Sequence, residues 1–311
     1  MHYTGTVWRP PYEASSLLLE VTAGCTHHQC KFCTLYHDLP FSFKMAPLAQ
    51  IESDLQEAQL FSTDPVAMLT ARLQGFPRPE RLTRAFLVGA NPFVLKYERL
   101  ITIAGLIEKY VPTVKSIGCF ARITDITPKT DEELIALHSA GYDGLTIGIE
   151  TGDDDALRFM NKGYCAADIT AQCRRLDRAG IQYSFFYLAG VSGAGRGEMG
   201  ANTTAEVCNG LHPQRIGVNM LTVYPDSELY QEIRRGNWNE AGELEKYQEV
   251  RTLLENLTIP TYFAGFGASN AFPFHGNLPE EKEALAAALD NIIETVREAD
   301  LRQYRENLPH L

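Results

Sequence analysis

Residues 16–33 read SLLLEVTAGCTHHQCKFC, an apolar, strand-like run followed directly by three closely spaced cysteines. These are Cys25, Cys30 and Cys33, separated by four and by two residues. Three thiolates from one loop can bind one face of an iron–sulfur cluster or form part of a zinc site, for which His27 or His28 could supply a fourth ligand. No fourth cysteine lies nearby, and because a reactive metal needs an open coordination position, the pattern favours a reactive centre over a closed structural site.

Outward from this stretch, short apolar runs alternate with longer amphipathic ones, as in the repeated βα units of a parallel sheet. We predict strands at Ser16–Val21, Ala85–Val88, Val114–Cys119, Gly144–Ile149, Gln182–Leu188 and Arg215–Val223. We predict helices at Leu48–Phe61, Tyr97–Tyr110, Thr130–Ala140, Ile169–Ala179 and Ala201–Leu211, with a terminal helix over residues 280–305. Both a doubly wound sheet and an incomplete barrel fit this α/β pattern, and in both the cysteine loop follows the ligand-binding end of the first strand.

Composition narrows the class of protein. The 311 residues are 45% hydrophobic and 22% charged, which is ordinary for a soluble globular chain and excludes a disordered or fibrous one. Thirty-nine acidic and 28 basic residues give a net charge of −11, so we expect neither DNA nor tRNA as a partner. The sequence shows no signal peptide and no apolar run of about 18 residues, so we expect a cytoplasmic protein with no membrane partner.

The cysteine loop, with an aromatic residue at Phe32 directly before the last cysteine, resembles the cluster motif of the radical S-adenosylmethionine (SAM) superfamily. The usual first gap in that family is three residues, and we interpret the fourth residue here as a bulge that the loop absorbs. The resemblance implies that Cys25, Cys30 and Cys33 bind a 4Fe–4S cluster, and that the remaining iron binds the amino and carboxylate groups of SAM.

Further segments follow in the order that the family shows. The turn Gly89-Ala90-Asn91-Pro92 resembles the glycine-rich turn whose backbone receives the SAM amino group, because glycine permits close approach to a ligand. Glu150, in residues 148–152, resembles the acid that contacts the ribose, and Lys162 resembles the base that pairs with the SAM carboxylate. Taken alone, both charges would be interpreted as solvated surface groups.

Two other positions complete the expected SAM site. Leu188 lies in the segment 187–191, which resembles the turn that faces adenine. Arg122 follows the third predicted strand, where it could meet a SAM or substrate carboxylate, and an ordinary surface arginine is the alternative. Cys119, at the end of the same strand, is the scattered cysteine that could face the cavity.

The resemblance spans residues 16–235 and is strongest to the branch of the coproporphyrinogen, methylthiotransferase and elongator-type enzymes. It implies a partial (β/α)6 TIM-like barrel over residues 1–235, with a C-terminal extension over 236–311 that covers the barrel and ends in a helix. Within this extension we expect a glycine- and aromatic-rich loop at 262–276. Its Ser269, Asn270 and His275 would either bind polar substrate groups or belong to a loop packed on the barrel.

The implied reaction is reductive cleavage of SAM by an external electron donor of the flavodoxin or ferredoxin type, followed by removal of a substrate hydrogen atom. We expect a small-molecule substrate, with a peptide or protein side chain as the alternative. A non-catalytic iron–sulfur or zinc protein would instead use four protein ligands. A metal-independent barrel enzyme could use His275 or Glu150 as acid or base, but it would leave the clustered thiols unexplained.

Overall fold

A computed structural model of the protein describes residues 1–73 and 82–309. These residues form two compact units. Of these residues, the first unit contains 1–26, 36–73, 82–146 and 178–181, and the second contains 27–35, 147–177 and 182–309. In the described ranges, no helix combines the length and the apolar character that crossing a bilayer requires.

The first unit contains the first predicted strand and the first cysteine of the loop, whereas residues 27–35 of the loop belong to the second unit. Its elements are β1 (Leu17–Glu20), β2 (Thr22–Gly24), β3 (Phe43–Met45), α1 (Leu48–Thr63), α2 (Pro65–Leu73), β4 (Arg84–Val88), α3 (Tyr97–Tyr110), β5 (Ser116–Ala121), α4 (Ile123–Ile126), α5 (Asp131–Ser139) and β6 (Tyr142–Glu150), the last of which continues into the second unit. β1, β4 and β5 pair in parallel, whereas β2 and β3 form an antiparallel pair on either side of the cysteine loop.

Arg84, at the start of β4, organises a polar contact inside the first unit. Its guanidinium donates from Nε and Nη2 to the carboxylate of Glu13 at 3.0 and 2.8 Å, and from Nη1 to Ser116 Oγ at 3.1 Å. A Cβ atom at Gly118 or Gly144 would lie 2.2 or 2.5 Å from Arg84 Nη2. The two glycines therefore make the space that this guanidinium occupies.

The second unit contains the remaining elements, except for the last two residues of α7, which belong to the first unit. They are α6 (Asp154–Phe159), α7 (Ala166–Ala179), β7 (Tyr183–Ala189), α8 (Gly197–Asn209), β8 (Arg215–Met220), α9 (Glu228–Arg234), α10 (Glu243–Asn256), β9 (Thr261–Gly265), β10 (Phe274–Leu278), α11 (Lys282–Thr295) and α12 (Glu298–Glu306). β7, β8 and β9 pair in parallel, and β10 is antiparallel to β9.

The strands form one mostly parallel sheet in the order β1-β4-β5-β6-β7-β8-β9-β10, which does not close into a ring. The six predicted strands correspond to β1 and to β4 through β8, each within three residues of its predicted bounds. This confirms the α/β class and the partial-barrel architecture.

Two expectations for the C-terminal part are wrong in detail. The segment 262–276 is not a single loop, because β9 and β10 pair across it and leave only residues 266–273 between them. The terminal helix is two helices, since the β-branched Val296 adopts an extended conformation (ψ 137°) directly after α11.

A buried lysine on α10 joins several parts of the second unit. Lys246 has no exposed surface, and its Nζ donates to the main-chain oxygen of Leu221 and to the carboxylates of Glu240 and Glu243, each at 3.0 Å. Arg305 on α12 also donates to Glu243, at 2.9 Å. The terminal helix is thus attached to α10 by buried, paired charges, which satisfies groups that burial would otherwise penalise.

Candidate functional site

The first cysteine of the loop lies in the first unit, directly after β2. Gly24 has a φ of +76°, and a Cβ atom there would lie 2.1 Å from the main-chain oxygen of Ser42. The N–H of Cys25 donates to this same oxygen at 2.8 Å. Only glycine permits so close an approach between the two backbones, so Gly24 determines the position of the Cys25 backbone.

The second and third cysteines lie in the second unit, joined by a tight turn in which the N–H of Cys33 donates to the oxygen of Cys30 at 3.0 Å. Between them, the N–H of Lys31 donates to the oxygen of Met160 at 3.2 Å. The oxygen of Lys31 accepts from the N–H of Leu229 at 2.7 Å. The two-residue gap therefore forms a turn that is anchored on both sides by main-chain hydrogen bonds.

The chemistry of these donors fits an iron–sulfur cluster. Cys25, Cys30 and Cys33 are half-buried thiols outside any disulfide, and thiolates are the ligands that such clusters use. Across residues 1–73 and 82–309, no three His, Cys, Asp or Glu side chains are grouped so as to hold a metal ion. Cys119 is fully buried, and burial raises the pKa of its thiol far above the usual range, which is typical of a core thiol.

The glycine-rich turn follows β4 in the first unit. Gly89 has a φ of +135°, and a Cβ atom there would lie 2.0 Å from Thr22 Oγ1 and 2.6 Å from the main-chain oxygen of Thr22. A side chain at position 89 would therefore collide with β2 and would strain the backbone. Ala90 is half-buried, whereas Asn91 and Pro92 are buried.

A buried polar network extends from this turn. Asn91 has no exposed surface, and its Nδ2 donates to Thr26 Oγ1 at 2.8 Å and to both carboxylate oxygens of Asp125 at 3.1 Å. Asp125 also accepts from the N–H of Arg122 at 2.8 Å. Burial raises the pKa of Asp125 to about 6, although its hydrogen bonds to Arg122 and Asn91 oppose the rise.

Arg122 and Lys129 border this network. Arg122 is 8% exposed at the start of α4, so the alternative of an ordinary surface arginine is wrong. Lys129 Nζ donates to the main-chain oxygens of Phe93 and Asp125 at 2.6 and 3.0 Å, and burial lowers its pKa to about 8. Sequence reasoning missed Asp125 and Lys129. The one available signal was an aspartate three residues after Arg122, where an acid can accept from the residue that starts a helix.

In the second unit, the two charged residues expected to contact SAM form an ion pair with each other. Lys162 Nζ lies 2.9 Å from Glu150 Oε1, and the two side chains are only 6% and 14% exposed. The Lys162 ammonium also lies 5.7 Å from the ring centre of Phe32 and 5.5 Å from that of Tyr164. The alternative of two solvated surface charges is therefore wrong.

The backbone around Glu150 is specialised. Glu150 has a φ of +65°, a left-handed conformation that residues other than glycine and asparagine rarely adopt. A Cβ atom on Gly148 would lie 2.5 Å from Glu150 Oε1, and Tyr164 Oη donates to the oxygen of Gly148 at 2.6 Å. Strained conformations of this kind cluster at functional sites, where surrounding contacts maintain them.

Two apolar positions of the expected site lie in one cluster of the second unit. Phe32 and Leu188 are partly buried against a core formed by Met160, Val191, Leu221, Leu229 and Trp238. The Nζ atom of Lys31 lies 4.4 Å from the ring centre of Phe159, which packs against this cluster. Phe32 therefore holds the cysteine turn against the segment that follows β7.

The turn after β7 is supported by a buried acid that sequence reasoning missed. Glu249, in the middle of α10, accepts from the N–H of Gly190 at 2.8 Å and from Tyr187 Oη at 2.5 Å. Burial raises the pKa of Glu249 to about 8. No sequence signal separates this glutamate from the other acids of the helix.

The residues between β9 and β10 mainly bind protein atoms. Ser269 Oγ accepts from the N–H of Met220 at 3.1 Å, and Asn270 Nδ2 donates to the oxygen of Val218 at 3.0 Å. His275 is exposed, with its ring centre 5.0 Å from that of Phe266. Of the two expectations for this segment, these contacts favour packing over substrate binding.

Comparison with known proteins identifies a family. The family model described as the Radical SAM superfamily matches residues 19–198, which is more than half of the chain. No curated protein matches the sequence.

Several solved structures share the fold. Coproporphyrinogen III oxidase from Escherichia coli aligns with a TM-score of 0.52 and 16% identity, over 77% of this chain and 52% of that one. The Elp3 protein of the archaeon Methanocaldococcus infernus aligns with a TM-score of 0.50 and 12% identity, over 80% and 56%. Methylornithine synthase aligns with a TM-score of 0.50 and 14% identity, over 93% and 85%. The chain thus spans about half the length of the first two proteins.

Proposed function

The chain belongs to the radical SAM superfamily, whose enzymes use a 4Fe–4S cluster and SAM, and we propose that it removes a hydrogen atom from a small-molecule substrate. When bound, these cofactors supply a 5′-deoxyadenosyl radical for that step. The observation that carries the proposal is a group of three thiols in one loop, with no fourth cysteine in that loop, inside the segment that matches the family.

Cys25, Cys30 and Cys33 are the cluster ligands in this proposal. Their chemistry supports the assignment, because they are the half-buried thiols of one loop, whereas Cys119, Cys173 and Cys208 are buried in the core. The anchored turn between Cys30 and Cys33 and the fixed backbone at Cys25 restrict these ligands, so less ordering is needed when they bind.

The remaining site residues would bind SAM. The backbone of Gly89–Pro92 would accept and orient its amino group, and Lys162 or Arg122 would bind its carboxylate. Glu150 would accept hydrogen bonds from the ribose hydroxyls, which requires its pairing with Lys162 to loosen or to be shared. Phe32 and Leu188 would give the apolar surface that excludes water from this site.

The partners follow from chemistry and charge. The enzymes of the family need an external electron donor, for which we propose a flavodoxin- or ferredoxin-type protein. The net charge of −11 argues against a nucleic acid as substrate, since such binding depends on Lys and Arg side chains at phosphates. A peptide or protein side chain is the competing substrate class.

The test is anaerobic reconstitution with iron and sulfide, followed by reduction with dithionite in the presence of SAM and chromatography for 5′-deoxyadenosine. We expect about four irons per chain in the wild type, and we expect the triple alanine variant of Cys25, Cys30 and Cys33 to lose both cluster and product. Cys165→Ala is the matched control, because Cys165 is also half-buried but lies outside the loop. A wild-type protein that binds only zinc would overturn the proposal.

A further inference from the structure

The polar network behind the glycine-rich turn reaches the first cysteine of the loop. Asn91 and Asp125 are 0% and 2% exposed, so the hydrogen bonds between them are shielded from water. Asn91 also contacts Thr26, the residue that follows Cys25, through its Nδ2 at 2.8 Å from Oγ1. The N–H of Thr26 lies 3.4 Å from Asn91 Oδ1, a longer contact of the same pair.

The backbone of Cys25 is therefore held on both sides. On one side, its own N–H donates to the oxygen of Ser42 at 2.8 Å. On the other side, the Asn91 amide holds Thr26 by both its donor and its acceptor. A side chain placed behind a metal ligand in this way restricts the positions that the ligand can take.

We propose that Asn91, oriented by Asp125, is a positioning residue that fixes the backbone following Cys25 and ties this cluster ligand to the SAM-binding turn. The inference rests on the proposed function, because it assigns Cys25 to the cluster and the glycine turn to SAM. In this proposal the side chain of Asn91 binds protein atoms, and the backbone of the same residue stays available to SAM.

The direction of the hydrogen bonds determines what each residue must be. The carboxylate of Asp125 accepts from the N–H of Arg122, so the group facing it at position 91 has to be a donor. The amide Nδ2 supplies that donor, which leaves the amide oxygen for the N–H of Thr26. An acid at position 91 would face a second carboxylate about 3 Å away and could not stay ionised beside it.

Exchanging the two residues restores the pattern. In the double variant N91D/D125N, the amide at position 125 donates to the acid at position 91 and still accepts from Arg122. The acid at position 91 accepts from both the hydroxyl and the N–H of Thr26. In the single variant N91D, the bond between positions 91 and 125 requires one of the two carboxyl groups to be protonated, and the Thr26 hydroxyl loses its amide donor. The double variant restores one amide donor and one carboxylate acceptor with nearly the same volume.

The experiment compares N91D and N91D/D125N with the wild type after anaerobic reconstitution. The readouts are iron and sulfide content, the rate of iron loss to a ferrous chelator, and the EPR spectrum of the reduced cluster with and without SAM. We expect N91D to lose iron about 10- to 100-fold faster and to show a weaker SAM-dependent spectral change. We expect the double variant to return close to the wild type in both.

Two more variants allow the proposal to be tested even if N91D does not fold. Thr26 is exposed, so Thr26→Val should fold even if N91D does not, and it should also speed iron loss because it removes one of the two bonds to Asn91. Tyr142→Phe is the control, since it removes a buried donor of the same unit whose partner is the main-chain oxygen of Leu100 and not a member of the network. It should lower stability without changing the rate of iron loss or the spectrum.

The outcomes separate this inference from the proposed function. A wild-type protein that forms no 4Fe–4S cluster would contradict the proposed function. A wild type that forms the cluster, with Thr26→Val and a folded N91D that both hold iron equally well, would overturn the positioning role alone. A Tyr142→Phe variant that loses iron as fast as N91D would also overturn it, because general loosening would then explain the effect.

Discussion

The ion pair between Glu150 and Lys162 gives a prediction that can be tested without any cofactor. The two charges lie 2.9 Å apart, and their side chains are 14% and 6% exposed. Lys162→Met removes the positive charge at similar length, Glu150→Gln removes the negative charge at similar shape, and the double variant removes both. The four proteins form a double-mutant cycle that isolates the pair.

The expected magnitude follows from burial. At an effective dielectric constant of about 20, two unit charges at this distance attract by about 6 kcal/mol, and desolvation of both groups cancels much of that. Removing one partner leaves the other charge buried and unpaired, so we expect Lys162→Met to lower the free energy of unfolding by about 3 kcal/mol. The double variant should lose much less, because neither charge remains.

The assay is urea unfolding of the cofactor-free protein, with Lys109→Met as the control. Lys109 pairs with Glu52 at a similar distance, 3.0 Å, but the two side chains are 59% and 37% exposed. Such a surface pair contributes little to stability, because water screens both charges. Equal losses in Lys162→Met and Lys109→Met, or no recovery in the Glu150→Gln/Lys162→Met variant, would refute the claim that the pair is buried and coupled.

The pKa of Glu249, raised to about 8 by burial, makes the folded protein hold a proton that the unfolded chain releases near pH 4.5. The free energy of unfolding should therefore fall as pH rises from about 4.5 to 8, and Glu249→Gln should remove most of this dependence on pH. If urea unfolding gives the same pH dependence for the wild type and for Glu249→Gln between pH 5 and 8, the prediction is wrong. Gly89→Ala should cost about 1–3 kcal/mol in thermal unfolding and weaken SAM binding, because the new Cβ would collide with Thr22. Gly105→Ala, inside α3 with nothing within 4 Å of the new atom, should instead stabilise by about 0.5–1 kcal/mol, and equal effects at the two glycines would count against the collision.

The sequence predicted the βα order because that order depends on local patterns. The helix at Tyr97–Tyr110 was predicted to the residue, since its apolar positions recur with the helical period. The Thr130 hydroxyl accepts from the N–H of Glu133, and this capping box explains why α5 begins where the pattern indicated. The dependence on local patterns also explains the error at residues 262–276. Glycine and proline in this segment suggest a loop, and the pairing between β9 and β10 cannot be recognised from either strand alone.

The site was predictable where a motif is contiguous and not where it depends on distant contacts. The cysteine loop and the glycine turn could be read from neighbouring residues. The pairing of Glu150 with Lys162 could not, since each charge alone is typical of a surface. Asp125 and Glu249 were missed for the same reason: their importance comes from full burial beside Asn91 and Gly190, which no periodicity reports.

The burial of Lys246 has a practical consequence for chemical labelling. An amine-reactive acylating reagent modifies lysines that it can reach, and this ammonium has no accessible surface while Leu221, Glu240 and Glu243 surround it. Acylation at this position would therefore accumulate only in molecules in which α10 has moved away from Leu221 and Glu240. The extent of acylation of Lys246 over time, measured by mass spectrometry of the peptide that contains it, would report the rate at which this part of the C-terminal region opens.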